Sequence, residues 1–281
     1  MANNIRQDYS HILIIGNGFD INLGLKTSYS DFVNSKEFKS ILNIGNYLAD
    51  DLEGKHNLQK WIDVENELKL YSKSQNILEA AEQFRADFSV VQTTLKNYLA
   101  TLSYDNLNKS TYAYKLLEII KNEDFLLLDF NYTQTTKTIL LELGISQNEI
   151  DERLIKVHGS VQDGEIIFGV EDQADIKPKH VFLRKAYNQN FKATNVIDNL
   201  ENLKELYIIG HSLGETDHMY LNNFFTTYSY PHYYGKGKKI TLYHYGEEGY
   251  NQLFMQLDKL TGQNLSLFKR NNDFKTIDTS K

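Results

Sequence analysis

Residues 16–24 read Gly-Asn-Gly-Phe-Asp-Ile-Asn-Leu-Gly and follow the apolar run Ile12–Ile15. A strand that ends in Gly-x-Gly before a helix suits phosphate binding. Glycine lets the backbone approach the ligand, and a helix start offers N–H groups without partners. On that reading Gly16, Asn17 and Gly18 touch a nucleotide, with Phe19 and Asp20 beside them. Ile21 stands where the third glycine of the dinucleotide fingerprint belongs. Asp20 would repel a phosphate, and its ordinary structural role is a helix cap. A nucleotide cradle and a plain tight turn both fit these residues.

Three more apolar runs end in polar residues. Asn131-Tyr132-Thr133 follows one, His158-Gly159-Ser160 another and Gly210-His211-Ser212-Leu213-Gly214 a third. Singly, each has a bland reading. His158 would be a histidine bonded to backbone, Asn131 a turn residue, and Thr133 a helix cap. Together they would meet in one crevice, because ligands of open parallel sheets bind at the carboxyl ends of the strands. Gly210–Gly214 also matches the Gly-x-Ser-x-Gly nucleophile elbow of serine hydrolases. His218, His232 and His244 follow it, with Asp217 and Asp258 as acids, but Asp217 and His218 lie too near the turn for late triad partners. His211 with Asp217 and His218 matches no established metal spacing, so no metal is expected.

These residues need a scaffold that brings strand ends together. Apolar runs predict strands at His11–Gly16, Glu123–Phe130, Leu154–Gly159, Glu205–Gly210 and Lys239–Tyr245. Glu165–Val170 reads as a short hairpin partner. Helical patterns at Thr133–Leu143, Thr216–Tyr228 and Glu248–Leu260 alternate with the strands. The fold class expected is therefore α/β, a doubly wound parallel sheet. Residues 35–120 read as a mostly helical insertion after the first strand. The core then spans 1–34 and 121–270, and 271–281 is a polar tail that frays. Within the insertion Ile77, Ala81, Phe84, Phe88, Val91, Leu95 and Tyr98 form one apolar stripe. Its bland fate is packing within the chain. Its sharper one is a homo-oligomer interface.

The chain has 281 residues, 30 basic and 37 acidic, with a net charge of −7. That balance does not suit a nucleic-acid partner. Cysteine is absent, which excludes disulfides and a cysteine zinc ribbon. No apolar run approaches the about 20 residues of a membrane span. A cytoplasmic protein with no membrane partner is expected.

The run Ile14–Asp20, with Gly24–Phe32, resembles the opening of the AbiH family of bacteriophage abortive-infection proteins. Trp61, Asp63, Glu65, Asn131-Tyr132-Thr133, His158-Gly159 and Gly210–Leu213 resemble that family too. The order of motifs is also similar to sirtuins and sirtuin-like NAD hydrolases. That likeness implies a Rossmann-like core with NAD as substrate or ligand. It makes Asn131 and His158 catalytic, and Gly16 to Asp20, Gly210, His211 and Ser212 nucleotide-binding. Thr27, Tyr29 and Asp31 would close the nicotinamide end, and His244, on the late strand, would sit at the adenosine. Thr27, Ser28 and Tyr29 replace the sirtuin Asp-Phe-Arg, and the missing zinc ribbon speaks against protein deacylation. What the two likenesses imply is an anti-phage NAD glycohydrolase, with room for a phage-derived activator. A nucleotide sensor without catalysis and a serine hydrolase are the alternatives.

Overall fold

A computed structural model of the chain describes residues 9–59, 64–74, 81–191, 196, 199–200, 203–230 and 237–281. Trp61, Asp63, Ile77 and His232 lie outside the described residues.

Six strands form one sheet: β1 His11–Ile15, β2 Phe125–Asp129, β3 Leu154–Lys156, β4 Glu205–Ile209, β5 Lys239–His244 and β6 Asp273–Asp278. Their order is β3-β2-β1-β4-β5-β6, and every neighbouring pair is parallel. Parallel strands need crossovers, so helices separate them. In chain order these are α1 Asn17–Asn22, α2 Tyr29–Val33, α3 Lys36–Lys39, α4 Tyr47–Gln59, α5 Val64–Lys73, α6 Ala81–Ala100 and α7 Tyr112–Ile120 before β2. After it come α8 Thr135–Glu142, α9 Gln147–Arg153, α10 His218–Thr227, α11 Gly246–Leu260 and α12 Leu265–Asn271.

Alternate strand residues point to opposite faces, and both faces are covered. Ile12, Ile14, Leu128 and Ile208 pack with Leu221 and Phe225 of α10, Leu257 of α11 and Phe268 of α12. Leu13, Ile15, Leu127 and Ile209 pack with Phe19 of α1, Leu117 of α7 and Ile139 of α8. A third core lies within the helices between β1 and β2. There Phe84, Phe88, Val91, Leu95 and Tyr98 of α6 are buried against Phe168 and Leu183, and Phe88 stacks on Phe168 with ring centroids 5.5 Å apart. From Phe84 to Tyr98 the apolar stripe is therefore buried within its own chain. Self-association through these helices would have to use other residues.

Two expectations need correction. The chain does not fray past Lys269: that residue lies within α12, which runs on to Asn271, and β6 then pairs with β5 from Lys239↔Asp273 to His244↔Asp278. Its sequence, Asp-Phe-Lys-Thr-Ile-Asp, looks like a tail because it is an edge strand, and charge on an edge discourages further pairing. Glu165–Val170 is not a hairpin strand either. It makes two isolated bridges, Gly159↔Ile166 antiparallel and Val170↔Arg184 parallel, and buries Ile166, Phe168 and Val170 under the α6 stripe.

Candidate active site

The strand order reverses beside β1, so the turns after β1 and β4 run in opposite directions and meet. They meet backbone to backbone. The Gly16 N–H donates to Ile209 O at 3.1 Å and the Gly18 N–H to Gly210 O at 2.8 Å. A Cβ on Gly18 would lie 2.8 Å from Gly210 Cα. The glycines are thus required by the contact between two turns, and two of the three amides expected to cradle a diphosphate are already committed. Asn17 donates its side-chain amide to Thr27 O. Asn131 donates Nδ2 to Gly16 O at 3.1 Å, and its own N–H bonds Asp129 Oδ1. The turn after β2 is thereby tied to the turn after β1.

Above these turns lies a cavity of about 660 Å³. That is the size of a small-molecule site. It collects Gly16, Asn17, Gly18, Asp20, Thr27, Tyr29, Asn131, His158, Gly210, His211 and Ser212. Glu65, Asn66 and Lys69 of α5 form part of its wall. Three expected residues are elsewhere. Phe19 is fully buried in the core beneath β1. Asp31 accepts from the Ser28 N–H and hydroxyl, closing a capping box on α2. His244 places Nδ1 2.9 Å from Gly246 O, with its ring against Tyr250.

Asp20 does not cap a helix. It lies inside α1, fully buried, and accepts from Thr133 Oγ1 at 2.6 Å. Thr133 is therefore no cap either. The other carboxyl oxygen, Oδ1, is buried with no hydrogen-bond partner among the described residues. Burial, with Asp129 adding to it, pushes Asp20 up to about 7 against the Thr133 hydrogen bond. The folded value lies above the unfolded one. The contribution to stability is thus complete below the ordinary 3.8 and is lost as pH rises through about 7. That displacement corresponds to about 4 kcal/mol. Asp20→Asn keeps an acceptor for Thr133 and cannot ionise. It is expected to be more stable than wild type at pH 8, by up to about 4 kcal/mol, and to show little gain at pH 4. Urea denaturation at the two pH values checks this. An equal difference at both would contradict it.

The most densely charged part of the cavity centres on a carboxylate that the sequence pattern discounts. Asp217 Oδ1 lies 3.3 Å from His158 Nε2, and Oδ2 lies 3.3 Å from His211 Nε2. Both contacts are close for charge but poorly aligned for hydrogen bonding. Lys185, buried and without any sequence signal, donates Nζ to Asp217 Oδ1 at 3.1 Å and reaches Glu65 Oε2 at 3.2 Å. Phe130 sets its ring edge-on to both imidazoles, at 5.3 Å from His158 and 4.4 Å from His211. Burial alone would raise the Asp217 carboxyl, but the Lys185 ammonium outweighs it and holds it well below the usual range. Burial would lower the Lys185 ammonium, but Asp217 and Glu65 hold it above its ordinary value. Burial, then the Lys185 charge, bring His158 down to about 4, with Asp217 opposing. His158 is thus neutral at pH 7.

The Gly-x-Ser-x-Gly turn is not built as a nucleophile elbow. The left-handed residues are Gly210, at φ 67°, and Leu213, at φ 55°, with Ser212 between them on the cavity wall. Leu213 is held there from both sides. Its N–H donates to His211 Nδ1 at 3.0 Å, and its carbonyl accepts from His218 Nε2 at 2.9 Å. Both histidines thus serve backbone. Among the described residues no group of three or more histidine or acidic side chains is arranged to hold a metal ion. Nor, among them, is any helix long and apolar enough to cross a membrane.

No curated protein matches the chain. The family described as "Bacteriophage abortive infection AbiH" matches residues 12–233. That span runs from β1 past α10 and includes every cavity residue expected from the strand-end motifs. The chain therefore belongs to the AbiH family, whose function is bacteriophage abortive infection.

Proposed function

We propose that this protein acts in abortive infection by binding NAD in the cavity and hydrolysing the bond between nicotinamide and ribose. The observation that carries this reading is the convergence of Asn131, His158 and His211, from the ends of three strands, on one cavity beside the point where strand order reverses. The order 3-2-1-4-5-6 is also that of Rossmann-like doubly wound sheets, which bind dinucleotides at this place. With sirtuin-like chemistry on such a sheet, the chain's own side chains divide the work.

His158, neutral at pH 7, takes a proton from the attacking water. The water oxygen bonds to the anomeric carbon as the bond to nicotinamide breaks. The electron pair of that bond leaves with nicotinamide and cancels its ring charge. The proton passes from His158 to solvent, and ADP-ribose remains. Asp20 Oδ1, buried and unpartnered, accepts from a ribose hydroxyl. Asn131 keeps the Gly16 turn in place. Lys69, already shared with Glu171 at 3.3 Å, faces the diphosphate in place of the committed glycine amides. Side chains of α5 line the cavity, so the helices between β1 and β2 form a route by which a phage-derived activator reaches it.

The low basicity of His158 favours one second reading, a nucleotide sensor that binds without turnover. Free nicotinamide, measured when purified protein is incubated with NAD, separates the two. Its loss in His158→Ala assigns the chemistry to this cavity.

A further inference from the structure

We infer that Asp217 is the positioning residue of the site: the negative charge of its carboxylate, 3.3 Å from both Nε2 atoms, fixes the proton of His158 and of His211 on Nε2, which leaves Nδ1 of His158 as the proton acceptor. The chemical role of that nitrogen rests on the proposed NAD hydrolysis. The tautomers themselves do not.

A neutral imidazole carries one proton, and an ionised carboxylate only accepts. The proton therefore sits on the nitrogen that faces the carboxylate. In both rings that nitrogen is Nε2, each 3.3 Å from its own oxygen of Asp217. His211 supplies independent support. Its Nδ1 accepts the Leu213 N–H at 3.0 Å, so its lone pair is engaged and its proton is on Nε2. His211 is consequently no base, although it adjoins Ser212. Phe130, edge-on to both rings, limits their rotation. Lys185 binds the Oδ1 that faces His158 and anchors the carboxylate from behind. Asp217 reaches the cavity from the short 3-10 turn Glu215–Asp217 that leads into α10. Neither its number nor its distance from His158 along the chain announces the pairing.

The test is nuclear magnetic resonance of ¹⁵N-labelled histidine in the full chain at pH 7. Ring signals are assigned by their loss in His158→Gln and His211→Gln. In wild type both rings are expected protonated at Nε2 and unprotonated at Nδ1. In Asp217→Asn, whose amide presents either a donor or an acceptor, His158 is expected to populate both tautomers. Nicotinamide release then falls in kcat by the fraction of His158 that moves its proton to Nδ1, about twofold for an even mixture, with KM near wild type. A loss of packing alone would not mix the tautomers while sparing KM. His158 protonated at Nδ1 in wild type would overturn the inference. So would Asp217→Asn with unchanged tautomers and unchanged kcat. If that variant does not fold, the wild-type tautomers still decide. If wild type releases no nicotinamide, the substrate reading fails, and the ring signals still uphold or overturn the positioning role.

Discussion

Gly210→Ala is expected to destabilise the protein by on the order of 4 kcal/mol or more, and to leave little soluble material. Two penalties combine. Gly210 has φ 67°, which a residue with a Cβ adopts at a cost of about 1–2 kcal/mol. A Cβ there would also lie 2.0 Å from the Phe19 nitrogen and 2.5 Å from the Gly18 carbonyl carbon. Those are backbone atoms of the turn after β1, which cannot swing aside as a side chain can. Moving them would stretch the bond from the Gly18 N–H to Gly210 O and the bond from Asn131 to Gly16 O. Gly24→Ala is the internal control. Its φ of 94° is as demanding, but nothing lies within 4 Å of the added carbon, so only the conformational cost applies. Thermal unfolding of the two variants checks the contrast. Equal losses would mean that the turns are not in contact.

The second large effect is at Lys185. Lys185→Met is expected to lose about 3–5 kcal/mol, because it leaves Asp217 and Glu65 without their shared cation in a buried cluster. The sign of the pH dependence follows from the two directions of shift. Asp217 is held below its ordinary value, so its contribution is present above about 4 and lost as pH falls through the folded value. Lys185 is held above its ordinary value, so its contribution is present at neutral pH and lost only at strongly alkaline pH. Wild type should therefore keep the cluster across the neutral range. In Lys185→Met the two carboxylates gain stability by protonation, so the deficit should shrink as pH falls. Adding Asp217→Asn and Glu65→Gln to Lys185→Met is expected to recover most of the loss, since a buried ion cluster is seldom better than a neutral one of the same shape. Denaturant titrations of the single and triple variants at pH 5 and pH 8 measure this. A triple variant as unstable as the single one would mean that the damage is to packing and not to charge.

The two expectations differ in how far the sequence foretells them. Gly210 is legible because the apolar runs of β1 and β4 both end in Ile-Ile-Gly, and parallel strands with like endings open on the same crevice. Buried parallel strands are continuous apolar runs, so β1, β2, β4 and β5 can be read directly. The polar edge strand β6 cannot, because its pattern is that of a solvated segment. Lys185 is illegible for another reason. It lies in the short 3-10 turn Lys185–Tyr187, too brief for any periodicity to show, and its partners are Glu65, far back in the chain, and Asp217, beyond β4. Pairings across a sheet whose order reverses have no fixed spacing. Asp217 is misread by the same logic, since nearness in sequence to Ser212 counts against it as a triad acid, while its geometry serves His158. His158 and Asn131 are visible because they end strands, and strand ends are where such sheets bind ligands. What the two glycine amides bond to is a tertiary fact, and the motif alone suggests the opposite.

Purified wild-type protein, incubated with NAD at pH 7 and followed by chromatography, is expected to release nicotinamide and ADP-ribose in equal amounts. His158→Ala, confirmed as folded, is expected to release them about 10²- to 10⁴-fold more slowly. Release at the wild-type rate by His158→Ala would remove the chemistry from this cavity. No release by wild type, with NAD bound and recovered intact, would contradict the hydrolase and leave the sensor.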